Sequence, residues 1–372
     1  MNDATIGVLD APTATRKGEE IDAVLLAAYL REYIPGLRGE IDVQQFPSGF
    51  SNLTYMLGAE VKTEGNRTER KEYVLRRPPF GANIKSAHDM EREYKVLQAL
   101  RGSYTKVPQP IAYCDDTDVL GAPFYVMERV QGIILRNKKP ETLDLSAPVM
   151  QRLSAMLTDN LTALHAVDIS APAIQALGKP EGYVRRQVEG WLKRYENAQT
   201  DDIAGMQQAA EWLLAHIPSE FASKNAPTLI HNDYKYDNVV FTPDLSAISA
   251  VLDWEMATLG DPLMDLGTTL GYWAEGDDPL PLKMFGLTGL EGNLNREEVV
   301  VRYAEQTGRD MSNIVFYYVF GLVKIVVIAQ QIYARFKKGF TQDPRFGGLI
   351  SVVQAGAETA YKALESGKLR KF

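Results

Sequence analysis

Cysteine is nearly absent from this sequence of 372 residues. Its one thiol, Cys114, can form neither an intrachain disulfide nor a cysteine zinc cluster, so a reducing compartment is expected. Histidine is also scarce: His88, His165, His216 and His231 lack the compact spacing of a catalytic zinc site. The opening MNDATIGVLDAPTA has neither the basic start nor the apolar centre of a secretory signal, and the chain reads as cytoplasmic. Its longest apolar run, Ile314 to Ala329, is interrupted by Lys324 and is shorter than the roughly 20 residues that cross a bilayer. A buried core helix is expected there, and no membrane partner. Forty Lys and Arg against 48 Asp and Glu leave a formal charge of −8, which disfavours nucleic-acid binding but leaves room for a local phosphate site. Neither G-x-x-x-x-G-K-[ST] nor G-x-S-x-G occurs, which removes the P-loop and the hydrolase elbow.

What is present changes character near residue 130. The first part alternates helix and strand patterns: a helix over 19–34, β-prone runs at Asp42–Phe46, Leu53–Ala59 and Lys71–Arg76, and a helix over Ser86–Leu100 with Ser86 and Asp89 as a capping box. Strands follow at Ile111–Tyr113 and Pro123–Val130, and Gln131-Gly132 forms a connector. Beyond it the pattern is mostly helical, over 147–166, 181–197, 203–216, 262–273, 296–306 and 312–335. One β island, 228–254, breaks it with runs at Thr228–Ile230, Asn238–Phe241 and Ile248–Leu252, the last two joined by the turn Thr242-Pro243-Asp244.

The chemistry sits on that island. His231-Asn232-Asp233-Tyr234-Lys235-Tyr236-Asp237-Asn238 and Leu252-Asp253-Trp254-Glu255 place polar groups at the ends of apolar strands. Phosphoryl transfer needs a group that orients a hydroxyl and oxygen ligands that hold Mg²⁺. Asp233 suits the first role, Asn238 and Asp253 the second, and Lys235 can reach the transferred phosphate. The plain alternative is a pair of capped turns, in which Asp and Asn satisfy local backbone groups.

These motifs resemble the aminoglycoside phosphotransferase and choline kinase branch of the protein-kinase-like superfamily, whose signature is H-x-D-x-x-x-x-N followed by an apolar-D motif. The likeness extends to Gly260-Asp261-Pro262 and Asp265-Leu266-Gly267 and covers roughly residues 40–335. The runs Tyr73 to Pro79, Gly182-Tyr183 through Trp191, and Leu252 to Glu255 most resemble the kinase-like domain fused to certain acyl-CoA dehydrogenases. The resemblance implies a two-lobed α+β fold: a nucleotide-binding lobe at 1–126 with a mainly antiparallel sheet and one helix, a hinge at 127–132, and a mostly helical catalytic and substrate lobe at 133–372. It implies ATP and Mg²⁺ as cofactors and a small hydroxylated molecule as acceptor, through the narrower likeness a hydroxyacyl compound or hydroxyacyl-CoA. Aminoglycosides, amino alcohols and sugars are the alternative acceptors. A nucleotide-binding pseudokinase and a metal-dependent phosphohydrolase are the alternative activities.

The same resemblance assigns the nucleotide end. The turn Pro47 to Asn52 would close over phosphates, with Gly49 allowing close approach and Ser51 and Asn52 donating; a ligand-free hairpin turn is the alternative. Val74 and Arg76 share a strand face, so Val74 would cover the adenine and Arg76 stand where such kinases often place Lys, while Arg77 faces the other way, toward solvent. Glu93, beside the apolar stripe of its helix, would pair with Arg76, unless it is an ordinary solvated charge. Met127, the Glu128 carbonyl and the Val130 amide would hold the adenine, or else form a plain edge strand. His231 would brace the catalytic loop, His165 near Asp168 reads as structural, and Gly271-Tyr272-Trp273 with the acidic loop 275–281 forms either a substrate wall or core packing.

Overall fold

The structure, a computed structural model, describes residues 11–47, 52–80, 89–219, 226–341 and 343–372. The chain divides into two compact units, Met1–Ile134 with Val240–Glu255, and Leu135–Val239 with Met256–Phe372.

The first unit opens with α1 (Ala23–Leu30), shorter than the periodicity suggests because Asp22 caps it and accepts from the Val24 and Leu25 amides at 2.9 Å. Strands β1 (Leu37–Gln45), β2 (Leu53–Lys62) and β3 (Thr68–Arg77) follow, then α2 (Met90–Leu100), β4 (Pro110–Cys114), the short α3 (Thr117–Leu120) and β5 (Phe124–Glu128). The strands form one antiparallel sheet in the order β1-β2-β3-β5-β4. Alternation sends Tyr55, Leu57, Leu75, Phe124 and Val126 into a core that Leu26 and Leu30 of α1 complete. Asp89 caps α2 by accepting from the Arg92 amide at 2.9 Å; Ser86 and His88 lie outside the described residues.

The second unit contributes α4 (Ala147–His165), α5 (Pro172–Gln175), α6 (Tyr183–Ala198), α7 (Met206–Ala215) and β6 (Thr228–Ile230). Strands β7 (Val239–Phe241) and β8 (Ile248–Val251) form a hairpin, nearly all of which belongs to the first unit, where Ile133 and Phe241 exchange backbone hydrogen bonds of 2.9 and 2.8 Å. Then come β9 (Thr258–Gly260), which pairs with β6, and helices α8 (Pro262–Tyr272), α9 (Arg296–Thr307), α10 (Ile314–Lys337) and α11 (Leu349–Ser366).

By length and composition α10 is apolar enough to cross a membrane, yet 78% of its most apolar window is buried among the helices around it. It approaches α8 closely. A Cβ on Gly267, Gly271 or Gly321 would run into the other helix's backbone, so three glycines set that spacing. Every residue of α8 is buried, which makes it the post on which the neighbouring loop is hung.

One sequence expectation is corrected here. Arg77 does not face solvent: the last five residues of β3, Tyr73 to Arg77, are all buried, because both faces of the sheet are covered at that end. Its guanidinium donates to the Leu120 carbonyl at 3.0 Å and the Pro78 carbonyl at 3.2 Å and lies 3.8 Å from the Phe80 ring centroid. Burial lowers its pKa, a cost that these partners offset. Arg77→Ala should therefore destabilise the chain by about 2–4 kcal/mol in urea unfolding, through lost packing and an orphaned carbonyl. A change below about 0.5 kcal/mol would show that Arg77 is dispensable.

Candidate active site

In the first unit the strand register decides which side chains meet. Val74 stands between Met56 and Met127, and Arg76 between Thr54 and Tyr125, so the alternation places Val74, Met127 and Arg76 on one face. Arg76 is buried and paired with the fully buried Glu93 of α2, and its two terminal nitrogens donate to Asp253 Oδ1 at 3.2 and 3.3 Å. Glu91, the other acidic residue of that turn, is exposed and pairs with Lys95. Burial works against the Arg76 charge, but Glu93 and Asp253 hold its pKa well above the ordinary value. Burial pushes the Glu93 carboxyl up, with Arg76 opposing it.

Asp253 follows β8 and adopts a left-handed backbone at φ 66°, which costs a non-glycine residue free energy and turns its side chain out of the strand. One third of that side chain is exposed. Asn52 is buried and donates to Glu255 at 3.1 Å, while Gly49 and Ser51 lie outside the described residues. β5 ends at Glu128, whose amide donates to the Gln109 carbonyl; the Arg129 amide donates to Glu72, and Val130 follows, half-buried.

In the second unit the loop after β6 is held from behind by Asp265 of α8. Its carboxylate accepts from the His231 amide at 2.6 Å, the Asn232 amide at 2.7 Å and His165 Nε2 at 3.1 Å. Burial pushes Asp265 up, yet these donors hold it below the ordinary carboxylate range. His165 also reaches the Tyr303 hydroxyl at 2.6 Å, so it belongs to this anchor, whereas Asp168 binds Ser170. The His231 ring accepts from the Asp233 amide at 3.2 Å.

The Asp233 carboxylate meets Lys235 Nζ at 2.5 Å and accepts from Asn238 Nδ2 at 2.8 Å. Burial raises its pKa, but Lys235, His231 and Lys324 outweigh this and keep it low, hence ionised at neutral pH. The Asn238 nitrogen is committed to Asp233, which leaves its Oδ1 as the atom a hard cation would use. Among the described residues no group of three His, Cys, Asp or Glu gathers around one point, so a zinc-type centre is not formed.

Beside Lys235 opens a cavity whose walls include Tyr236, Tyr272, Trp273, Phe285 and Thr288. Lys235 Nζ lies 4.6 Å from the Tyr272 ring centroid, and Tyr272 meets Phe285 edge to face. The Thr288 hydroxyl is buried without a hydrogen-bond partner. The neighbouring acidic loop does not serve this cavity: Glu275 accepts from Arg370 at 2.6 Å and from the Arg296 amide at 2.8 Å, and Asp278 pairs with Arg296.

The sequence of the phosphotransferase enzyme family matches residues 42–298, more than half of the chain. The chain belongs to that family. It has the α+β protein-kinase-like fold. It is 34% identical over 347 residues to acyl-CoA dehydrogenase family member 11 of Homo sapiens, an alignment covering 91% of this chain and 43% of that protein. It is 33% identical over 316 residues to acyl-CoA dehydrogenase family member 10 of Mus musculus, covering 82% and 28%. The chain thus spans less than half the length of these relatives. A solved Ralstonia eutropha structure described as an aminoglycoside phosphotransferase is 30% identical, with a TM-score of 0.76 and coverage of 93% of this chain and 99% of that one. Choline kinase from Cryptosporidium parvum, 15% identical with a TM-score of 0.58 and coverage of 93% and 97%, shares the fold.

Two features of the site escaped the sequence. Asp265 was visible only as part of a motif, since its anchoring role depends on a loop far away in sequence. Lys324 was visible only as an interruption of an apolar run.

Proposed function

We propose that this phosphotransferase moves the γ-phosphoryl group of ATP, with Mg²⁺, onto the hydroxyl of a small molecule with an apolar body, of the hydroxyacyl or hydroxyacyl-CoA class. The observation that supports the acceptor class is the cavity beside Lys235, with its aromatic walls and internally paired acidic neighbours. A polycationic aminoglycoside calls for free carboxylates, and Glu275 and Asp278 are already engaged. Acyl-CoA names among the relatives point the same way.

In this reading Asp233 orients the acceptor hydroxyl and takes its proton late in transfer, and Lys235 faces the phosphoryl oxygens. Val74, Met127, the Glu128 carbonyl and the Val130 amide hold the adenine, with Gly49, Ser51 and Asn52 toward the phosphates. Arg76, steadied by Glu93, neutralises phosphate charge. Asn238 Oδ1 and the Asp253 carboxylate are hard oxygen donors that suit magnesium, whose role is to neutralise the charge of the phosphates. The products are a phosphate ester, ADP and a proton.

Turnover of MgATP against hydroxyacyl-CoA, choline, sugars and kanamycin tests the acceptor. Turnover stimulated by hydroxyacyl-CoA alone is expected, and stimulation by kanamycin alone would refute the acceptor class. In thermal-shift titrations ATP should stabilise the wild type more with Mg²⁺ than without, and Asn238→Ala and Asp253→Ala should lose that increment. Equal ATP stabilisation of all three proteins with and without Mg²⁺ would overturn the metal assignment.

A further inference from the structure

Lys324 stands in the middle of α10 among Leu322, Val323, Ile325 and Val326, and is itself 2% exposed. A buried ammonium is costly, and a Leu or Met would fill the same space without the penalty. The charge is spent on one hydrogen bond: Nζ donates to the Asn232 backbone carbonyl at 2.6 Å. Asn232 is the residue before Asp233 and is held in a left-handed backbone conformation at φ 68°. Its amide is fixed by Asp265, and its side-chain nitrogen donates to the Tyr183 hydroxyl at 2.9 Å and the Met256 carbonyl at 3.0 Å. The carbonyl is the last free handle of this strained residue, and Lys324 takes it. The Gly267–Gly321 approach of α8 and α10 allows α10 close enough to do so.

We propose that Lys324 is a positioning residue for phosphoryl transfer: by gripping the Asn232 carbonyl it fixes the strained turn that aims the Asp233 carboxylate. The proposal rests on the kinase reading given above for Asp233. Asp233 and Asp265 face Lys324 from the loop and α8 and favour its charge, Lys235 and Arg194 oppose it, and the Trp191 ring of α6 lies 5.6 Å away. Burial, the largest influence, lowers the Lys324 pKa from 10.5 to about 8. The charged form of the grip therefore prevails below pH 8; above it Lys324 becomes a neutral amine that can still donate to the carbonyl, but more weakly.

The test uses the full chain as wild type, Lys324→Met and Lys324→Arg, with MgATP turnover followed in the presence of hydroxyacyl-CoA. Lys324→Met should lower kcat by about tenfold or more with the KM for ATP within about threefold, since the loss falls on the oriented carboxylate. Lys324→Arg, whose charge does not titrate in this range, should recover most of the rate at pH 7 and lack the wild-type fall near pH 8. An unchanged kcat in Lys324→Met, or kcat and KM changing together, would overturn the proposal. A second readout is independent of activity and covers the case in which Lys324→Met folds poorly. In spectra of protein labelled with ¹³C at the lysine ε-carbons, one resonance should titrate near pH 8, be absent from Lys324→Arg, and move in Asp233→Asn. A Lys324 resonance that titrates with the surface lysines, or ignores Asp233→Asn, would overturn the proposal even if the wild type turned over. A wild type with no MgATP turnover would sink the kinase reading instead, and the resonance alone would then decide whether Lys324 is coupled to Asp233.

Discussion

Asp233→Asn should lower kcat by at least about a hundredfold while leaving ATP affinity within about threefold, which corresponds to less than about 1 kcal/mol of binding. The substitution keeps the size of the side chain and a hydrogen-bond acceptor for Asn238, so the loop should stay in place. It removes the ionised carboxylate that Lys235 and the loop hold deprotonated at neutral pH. A carboxylate that orients a hydroxyl and then accepts its proton acts in the transition state, so its loss belongs to kcat. Single-turnover kinetics with the best acceptor separates this from binding. Near-normal transfer would falsify the role, and equal losses in affinity and rate would make Asp233 a structural prop of the loop.

Arg76→Ala should be the most damaging single change in the first unit. It leaves Glu93 buried beside Tyr125 without its counter-charge and removes the donors to Asp253. Breaking a buried pair by deleting one partner costs about 3–5 kcal/mol, because the remaining charge stays desolvated. Urea unfolding should show that loss. Arg76→Met combined with Glu93→Leu should recover most of the stability, since replacing both charges with apolar groups removes the penalty. The repaired double variant should still bind ATP weakly, because Arg76 also faces the phosphates in the proposed function. If it bound ATP as the wild type does, the pair would be a matter of folding alone.

Glu93 follows from the apolar stripe of its helix and the family resemblance. Strand alternation was enough to put Val74 and Arg76 on one face, because local period-two geometry decides faces without knowledge of the rest of the chain. The same rule failed one residue later. It assigns Arg77 to the face opposite Arg76, correctly, but it cannot know that this face is covered too; that depends on Leu120 and Phe80, which no periodicity connects to β3. The island after residue 228 was readable because its polar residues interrupt apolar runs at fixed offsets. Its supports were not. Asp265 and Lys324 act on Asn232 from two helices, and their roles exist only once α8 and α10 are packed. Strand β9 and helix α11 were also missed. The first is three residues long and forms only by pairing with β6; the second has a clear buried stripe, including Val352, Val353, Gly356, Ala360 and Ala363, so its pattern was legible.

The split composition of the first unit bears on how the chain is made. Its sheet and α2 are translated early, but the hairpin that pairs with Ile133 and the aspartate that accepts from Arg76 belong to Val240–Glu255, after the whole of Leu135–Val239 has been synthesised. Folding on the ribosome tends to complete units from the N-terminus onward. Here the nascent sheet must wait, holding an arginine and a glutamate whose third partner has not yet left the tunnel. A fragment ending at Ile134 lacks the hairpin that pairs with Ile133 and the aspartate that accepts from Arg76, so it is expected to unfold at lower urea than the same unit in the full chain.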